Sequence, residues 1–281
     1  MTKNALPQRI GVIGAGRMGA GIAHAFLLGG ADVVVVESSP EAAAAGQERI
    51  ERSLAKSAER GQSEHGAVTM TTDRQALAGC GLVVEAVPED ADLKAEVLTE
   101  IAGIAPDAWL GTNTSSLSVT DLAARLPQPE RLIGLHFFNP VPSSSLVEIV
   151  VAPTTADELT AAAQGWVAAI GKTAVTVQDS PGFASSRLGV MIALEAMRMV
   201  DEGVASVQDI DAAMELGYRH PVGPLKTTDF VGLDVRLAIA EHLERELGPR
   251  FAPPQVLRDK VAAGHLGRKT GQGFYDWSTE K

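Results

Sequence analysis

The chain has a single cysteine, Cys80, so no intramolecular disulfide can form and no cysteine cluster is available for zinc. Its setting in Ala-Gly-Cys-Gly, just ahead of an apolar run, reads as packing rather than reactivity. No metal site is expected. Basic residues are outnumbered, 24 Lys and Arg against 35 Asp and Glu, for a net charge of −11 and a pI near 5.0. A nucleic-acid partner needs a basic face, so the balance argues against one while allowing a local basic patch. No run of about 18 apolar residues occurs, and Met1 to Gln8 lacks an apolar signal core. Membrane spanning and export are therefore unsupported, and the expected compartment is the cytoplasm.

At 281 residues the chain is long enough for two domains, each with its own core. Arg9 to Ile13 reads as a short apolar strand running into Gly14-Ala15-Gly16-Arg17-Met18-Gly19, after which Ala20 to Leu28 favours helix. In this pattern the first glycine makes a tight turn, the second admits a pyrophosphate to the backbone, and the third lets helix pack on strand. The phosphates meet the helix N-terminus, where unpaired N–H groups favour negative charge. Val33 to Val36 forms a second buried strand and delivers Glu37, at the place, about 20 residues on, where an acid accepts from ribose hydroxyls. A carboxylate there repels a 2′-phosphate, which favours NAD over NADP.

The alternation continues. Leu82 to Val87 reads as the third strand, with Leu93, Val97, Leu98 and Ile101 as the apolar face of the next helix. Trp109 to Thr112 leads into Asn113-Thr114-Ser115-Ser116, a polar turn at a strand end, where open parallel sheets bind ligands. Ser115 there is either a substrate-facing hydroxyl or the N-cap of the following helix, and spacing alone favours the cap. Arg131 to Phe138 and Leu146 to Val151 are further strands, carrying His136 and Glu148. A lone strand histidine is more often structural, but Asn139 and Glu148 lie near it. A carboxylate on one ring nitrogen would set its tautomer and raise the basicity of the other. A helix over Thr155 to Ile170 and a strand over Thr173 to Val177 precede the turn Asp179-Ser180-Pro181-Gly182.

Beyond it helical periodicity takes over, with four helices expected at Leu188 to Glu202, Val207 to Leu216, Leu233 to Leu247 and Pro254 to Ala263. Pro221 to Pro224 reads as punctuation, and Asp209 and Asp229 as exposed helix starts or turns. The expectation is thus α/β: a doubly wound nucleotide-binding domain over residues 1–183 and an all-α domain over 184–281. A small helical unit buries little apolar area alone, so a homodimer is the default. On the helix after Glu37, Arg49, Arg52, Lys56 and Arg60 recur at helical spacing and form one basic stripe. That stripe could receive phosphate groups, yet Glu48 and Glu59 are placed to pair with it, so a salt-laced exposed face explains much of it.

The chain resembles the 3-hydroxyacyl-CoA dehydrogenase family, including the short bacterial 3-hydroxybutyryl-CoA dehydrogenases. The resemblance rests on motifs in family order along nearly the whole chain. These are Gly-Ala-Gly-Arg-Met-Gly (14–19), Val-Val-Glu-Ala (83–86), Asn-Thr-Ser-Ser-Leu (113–117), Leu-His-Phe-Phe-Asn-Pro-Val-Pro (135–142), Leu-Val-Glu (146–148), Pro-Gly-Phe (181–183), Val-Gly-Leu-Asp (231–234) and Lys-Thr-Gly-Gln-Gly-Phe-Tyr (269–275). It implies a Rossmann-type domain followed by a helical dimerisation domain, and reversible oxidation of an (S)-3-hydroxyacyl thioester by NAD. It further implies His136 as base and Glu148 as its orienting acid, with Ser115 on the reacting oxygen and Asn139 placing substrate or histidine. Gly14, Gly16, Met18, Gly19, Glu37, Glu85, Lys94, Asn113 and Lys269 would surround NAD, with Ser53 and Arg60 at CoA. Outside the family reading, Lys94 is a solvated helix residue and Lys269 a charged tail residue.

Departures cluster on the substrate side. Ser186 stands where the family usually has Asn, Ser143-Ser144-Ser145 replaces an apolar residue and Lys, and Pro224-Leu225-Lys226 replaces Pro-Phe-Glu. A hydroxyl reaches less far than a carboxamide and offers different donors. A short or polar acyl group is accordingly in view, as are a free polar hydroxy acid or a carrier-protein thioester. A protein that only binds NAD is disfavoured, because it has no chemical reason to keep Ser115, His136, Asn139 and Glu148 together.

Overall fold

Strands buried on both faces by helices need near-continuous apolar runs, and Ile10 to Ile13, Val33 to Val36 and Leu82 to Val84 supply them. In the computed structural model, which describes residues 6–279, these runs lie at the centre of an eight-stranded sheet. Residues 1–5, part of the segment in which no export signal is read, fall outside the described residues. The order is β1 (Arg9–Ile13), α1 (Arg17–Leu28), β2 (Asp32–Val36), α2 (Pro40–Ala58), β3 (Val68–Thr71), β4 (Leu82–Glu85) and α3 (Ala91–Ile104). There follow β5 (Trp109–Thr112), α4 (Val119–Ala123), β6 (Leu132–Phe137), β7 (Leu146–Val151), α5 (Asp157–Ala169) and β8 (Thr173–Gln178).

The strands pair in the order β3-β2-β1-β4-β5-β6-β7-β8. The first six repeat the doubly wound 3-2-1-4-5-6 arrangement, whose order reverses beside β1. All pairings are parallel except β6 with β7. A parallel partner requires a long crossover, whereas residues 138–145 carry no helix, so the chain turns straight back and β7 runs antiparallel. That reversal sets His136 directly opposite Glu148 in the ladder. Phe26 on α1 meets Phe137 edge to face, with centroids 6.3 Å apart, and Trp166 on α5 closes the same core.

β3 corrects the sequence reading, which passed from β2 to Leu82 and counted that strand third. Val-Thr-Met-Thr is four residues long, at the sheet edge and only partly buried, so its alternation is too short to stand out. Leu82–Glu85 is the fourth strand.

Residues up to Ser180 form one compact unit and those from Pro181 a second. The second holds α6 (Ser185–Asp201), α7 (Val207–Tyr218), α8 (Pro224–Val231), α9 (Leu233–Leu247) and α10 (Gln255–Ala262), around Leu194, Met197, Leu225, Leu233, Leu243 and Phe251. The extra helix is α8: Pro224, read as punctuation, occupies its first turn, where a missing N–H costs nothing. Asp229 is also corrected, being 1% exposed within α8 rather than on a turn. Its carboxylate accepts the N–H groups of Phe274 (2.9 Å) and Tyr275 (2.8 Å) and the Trp277 indole (2.8 Å). A Cβ on Gly273 would stand 2.2 Å from that carboxylate, which explains the second glycine of the Lys-Thr-Gly-Gln-Gly-Phe-Tyr segment. Among the described residues no helix is long and apolar enough to cross a membrane, and no His, Cys, Asp and Glu cluster could hold a metal ion.

Candidate active site

The glycine loop between β1 and α1 separates packing needs from ligand needs. Gly14 has φ +88°, and a Cβ there would lie 2.8 Å from the Ala86 carbonyl oxygen. A Cβ on Gly19 would overlap the Gly14 carbonyl oxygen at 1.8 Å, so helix and loop could not close. A Cβ on Gly16 would meet nothing within 4 Å, so packing does not require that glycine and the space beside it is open to a ligand. A cavity of about 650 Å³ opens there, lined by Gly14, Gly16, Met18, Glu37, Val87 and Leu93 among others. Glu37 accepts from the Ala15 amide (2.5 Å) and the Ser38 amide (2.9 Å), which orient its carboxylate at the cavity wall. The loop, the open face of Gly16 and this carboxylate fit a dinucleotide.

Behind the cavity lies a buried charge cluster at the ends of β4 and β5. Glu85 and Lys94 are both fully buried and pair at 2.7 Å. Glu85 also accepts from the Thr112 hydroxyl (2.6 Å) and the Val87 amide (2.7 Å), while Lys94 donates to the carbonyls of Val87 (3.3 Å) and Asn113 (3.2 Å). The solvated reading of Lys94 is thereby overturned. Glu85 is fully buried and is not among the residues that line the cavity. The Asn113 side chain accepts from the Phe137 amide at 3.1 Å, tying β5 to β6.

Glu89 was missed from sequence. One of its oxygens accepts from the Thr114 hydroxyl (2.6 Å), the amides of Ser115 (3.0 Å) and Ser116 (3.1 Å), and the Ser116 hydroxyl (3.0 Å). The other lies 3.5 Å from Lys94. Burial alone would raise the Glu89 carboxyl, but the Thr114 hydrogen bond, the Lys94 charge and the Ser115 and Ser116 donors outweigh it and hold it below the ordinary range. The signal was present: an acid after β4 faces a donor-rich turn after the neighbouring β5. Ser115 itself is exposed and is not the cap of α4; Ser118 caps it, accepting from the Asp121 amide at 3.1 Å. Cys80 is buried and burial raises its thiol, in keeping with packing.

At the same edge of the sheet, β6 and β7 bring His136 Nδ1 to 2.8 Å from Glu148 Oε2. His136 is 7% and Glu148 1% exposed, so the pair is shielded from water. The Phe138 ring lies 4.4 Å from the imidazole, centroid to centroid. Asn139 follows, in a loop held by Lys172, whose ammonium donates to the carbonyls of Val141 (2.7 Å) and Ser144.

Asn139 to Ser143 form one wall of a second cavity of about 390 Å³. The facing wall is α2, presenting Arg49, Arg52, Ser53, Lys56 and Arg60, with Arg17 from α1. None of the lining residues is acidic. Among the described residues neither Glu48 with Arg52 nor Glu59 with Lys56 closes an ion pair, so the salt-laced reading of this stripe fails. Ser186 and Lys269 belong to the helical unit. Ser186 is half-buried in the first turn of α6, and Lys269 pairs with Asp234 at 2.5 and 2.7 Å.

Comparison with known proteins agrees with this geometry. Residues 9–180 match the family model described as 3-hydroxyacyl-CoA dehydrogenase, NAD binding domain, and residues 182–277 match its C-terminal domain. A 3-hydroxybutyryl-CoA dehydrogenase of Mycobacterium tuberculosis is 41% identical over 281 residues, covering 96% of this chain and 98% of the relative. One from Bradyrhizobium diazoefficiens is 39% identical over 286 residues, covering 99% and 98%. The crystal structure of (S)-3-hydroxybutyryl-CoA dehydrogenase from Ralstonia eutropha superposes with a TM-score of 0.90 at 38% identity, covering 97% of this chain and all of that one.

Proposed function

The chain belongs to the 3-hydroxyacyl-CoA dehydrogenase family of NAD-dependent oxidoreductases, and on that footing we propose that it interconverts a short-chain (S)-3-hydroxyacyl-CoA and its 3-ketoacyl-CoA. The observation that carries this reading is the shielded His136–Glu148 pair, at 2.8 Å, on the same sheet edge as the dinucleotide cavity. NAD held at the glycine loop would supply the acceptor for the hydride leaving C3. His136 takes the hydroxyl proton in oxidation and returns it in reduction, through Nε2, because Nδ1 is engaged by Glu148. Glu148 holds the tautomer and stabilises the imidazolium. Ser115 hydrogen-bonds the reacting oxygen, on a turn that Glu89 gathers, and Asn139 places the substrate.

Around the cofactor, Gly14, Gly16, Met18 and Gly19 form the pyrophosphate cradle and Glu37 accepts from the adenosine ribose. Glu85, Lys94 and Asn113 shape the wall, and Lys269 completes the nucleotide surroundings. Ser53 and Arg60, with the basic stripe on α2, receive the CoA phosphates; the absence of acids in that cavity's lining supports this. Ser186 contacts the acyl portion. The test is NADH consumption with acetoacetyl-CoA, free acetoacetate and the pantetheine thioester. Rapid turnover of the CoA ester alone supports the assignment, and equal turnover of the free acid rejects it.

The helical unit exposes Leu188 (62%), Leu216 (83%) and Tyr218 (76%) beside an apolar groove between α6 and α7. Such a surface on a small unit supports a homodimer through these helices. Light scattering at micromolar concentration decides it. A free cofactor and a thioester substrate are consistent with a cytoplasmic enzyme.

A further inference from the structure

Arg17 lines two cavities of the nucleotide-binding unit at once. It opens α1 inside the glycine loop, and it forms part of the wall of both the dinucleotide cavity and the basic cavity. In the basic cavity it heads one face of α1, followed at helical spacing by Gly21, His24 and Leu28. The side chain is exposed and, among the described residues, closes no ion pair. Its surroundings disfavour a bare cation. The first turn of a helix repels positive charge, the first turn of α1 holds no acid, and Arg49, Arg52, Lys56 and Arg60 line the same acid-free cavity. Glu37, on the dinucleotide side, is engaged by the amides of Ala15 and Ser38.

The second helix joins the two cavities again. Gly46 lets α2 close on the glycine loop, since a Cβ there would collide with that of Ala15. Three residues on, Arg49 lines the basic cavity and donates to the Ala15 carbonyl at 3.2 Å, while the Ala15 amide donates to Glu37 at 2.5 Å. The wall of one cavity is thus fastened to the loop that bounds the other.

We infer that Arg17 is shared by two ligands: one edge of its guanidinium serves the dinucleotide pyrophosphate and another serves a phosphate held in the basic cavity, so that the two ligands bind with positive coupling. This rests on the NAD and CoA reading given above. A guanidinium carries five donors in a rigid plane and can face an anion on more than one edge. An exposed arginine without a partner also loses rotamer freedom when it is held. The first ligand bears that loss and the second meets an ordered cation, which favours joint binding although both ligands are anions.

NADH affinity of the full chain is measured by fluorescence titration with and without saturating CoA, and CoA affinity by calorimetry with and without NADH. Adenosine 3′,5′-bisphosphate repeats the CoA arm without the pantetheine. In the parent protein each ligand tightens the other by about three- to tenfold, and linkage makes the two factors equal. Arg17→Met weakens each ligand alone and abolishes the coupling or reverses its sign, since two anions then meet with no cation between them. Arg17→Lys keeps part of each affinity but not the coupling, because an ammonium is a point charge without a second edge. Arg52→Met, at a residue that lines the basic cavity alone, weakens CoA and leaves the coupling at the parent value. The ligand-free Arg17 variants melt with the parent, so lost affinity is not lost folding. Absence of coupling in the parent, coupling that survives in Arg17→Met, or loss of affinity for one ligand only overturns the sharing while leaving CoA in its cavity. Failure of both CoA and the bisphosphate to bind the NADH-loaded parent overturns the phosphate reading of the basic cavity, and the sharing with it.

Discussion

Buried charge is handled differently in the two units. In the nucleotide-binding unit Glu85, Lys94 and Glu89 draw together the ends of β4 and β5, and their hydrogen bonds end on the turn that carries Asn113 and Ser115. In the helical unit Asp211 and Asp229 bind backbone amides and aromatic donors of the C-terminal segment, pinning chain to chain. The first arrangement orients a site and the second holds a fold. A carboxylate engaged by amides and aromatic donors of its own unit ties chain to chain, whereas one shared between a cation and a loop transmits the position of one to the other.

That contrast has measurable consequences. The largest effect is expected at the reacting pair: His136→Ala should lower turnover by about 10²- to 10⁴-fold with NADH affinity nearly intact by fluorescence titration. Unchanged turnover would remove His136 from the mechanism. Next is Asp229→Ala, which strands three donors and should cost about 3 kcal/mol or more in denaturant unfolding, without moving the pH profile of turnover. A shifted profile would mean that the helical unit's buried acids also serve the site.

Glu89→Gln should fold normally yet lose about tenfold in kcat/KM, since a carboxamide cannot accept the same set of donors. The Glu89 carboxyl is held low in the folded state, so its stabilising contribution is present above the ordinary glutamate value and is lost as pH falls through the lowered folded value. Acid unfolding of the Gln variant should accordingly be shallower across that window; an identical acid limb would remove Glu89 from the linkage. The smallest effect is expected from Lys56→Ala on the exposed stripe: a few-fold rise in KM for the CoA ester and a weaker salt dependence. An unaltered KM at low salt would return the stripe to a solvated face.

Much of the site was legible because its signals are local. The glycines at 14, 16 and 19 and Glu37 sit within one strand-turn-helix-strand passage, and β1 and β2 were recognisable from unbroken apolar runs. The edge strand β3 was not, having only four residues and one partner. Nor was α8, whose opening Pro224 is indistinguishable from a loop proline until a helix is seen to follow it. Glu89 escaped notice because its partners, Thr114 to Ser116, follow a different strand.

The sequence by itself determined a doubly wound nucleotide unit, a helical second unit, a preference for NAD and a candidate histidine, His136. Each of these is written in short-range periodicity or in a motif whose chemistry depends on neighbours in the chain. Tertiary structure decided that His136 faces Glu148 across an antiparallel pair, that Lys94 is sealed rather than solvated, and that, among the described residues, the stripe on α2 has no acidic partner. Burial and pairing depend on residues brought together from distant parts of the chain, and a hydropathy pattern records only which face turns inward, not what waits there.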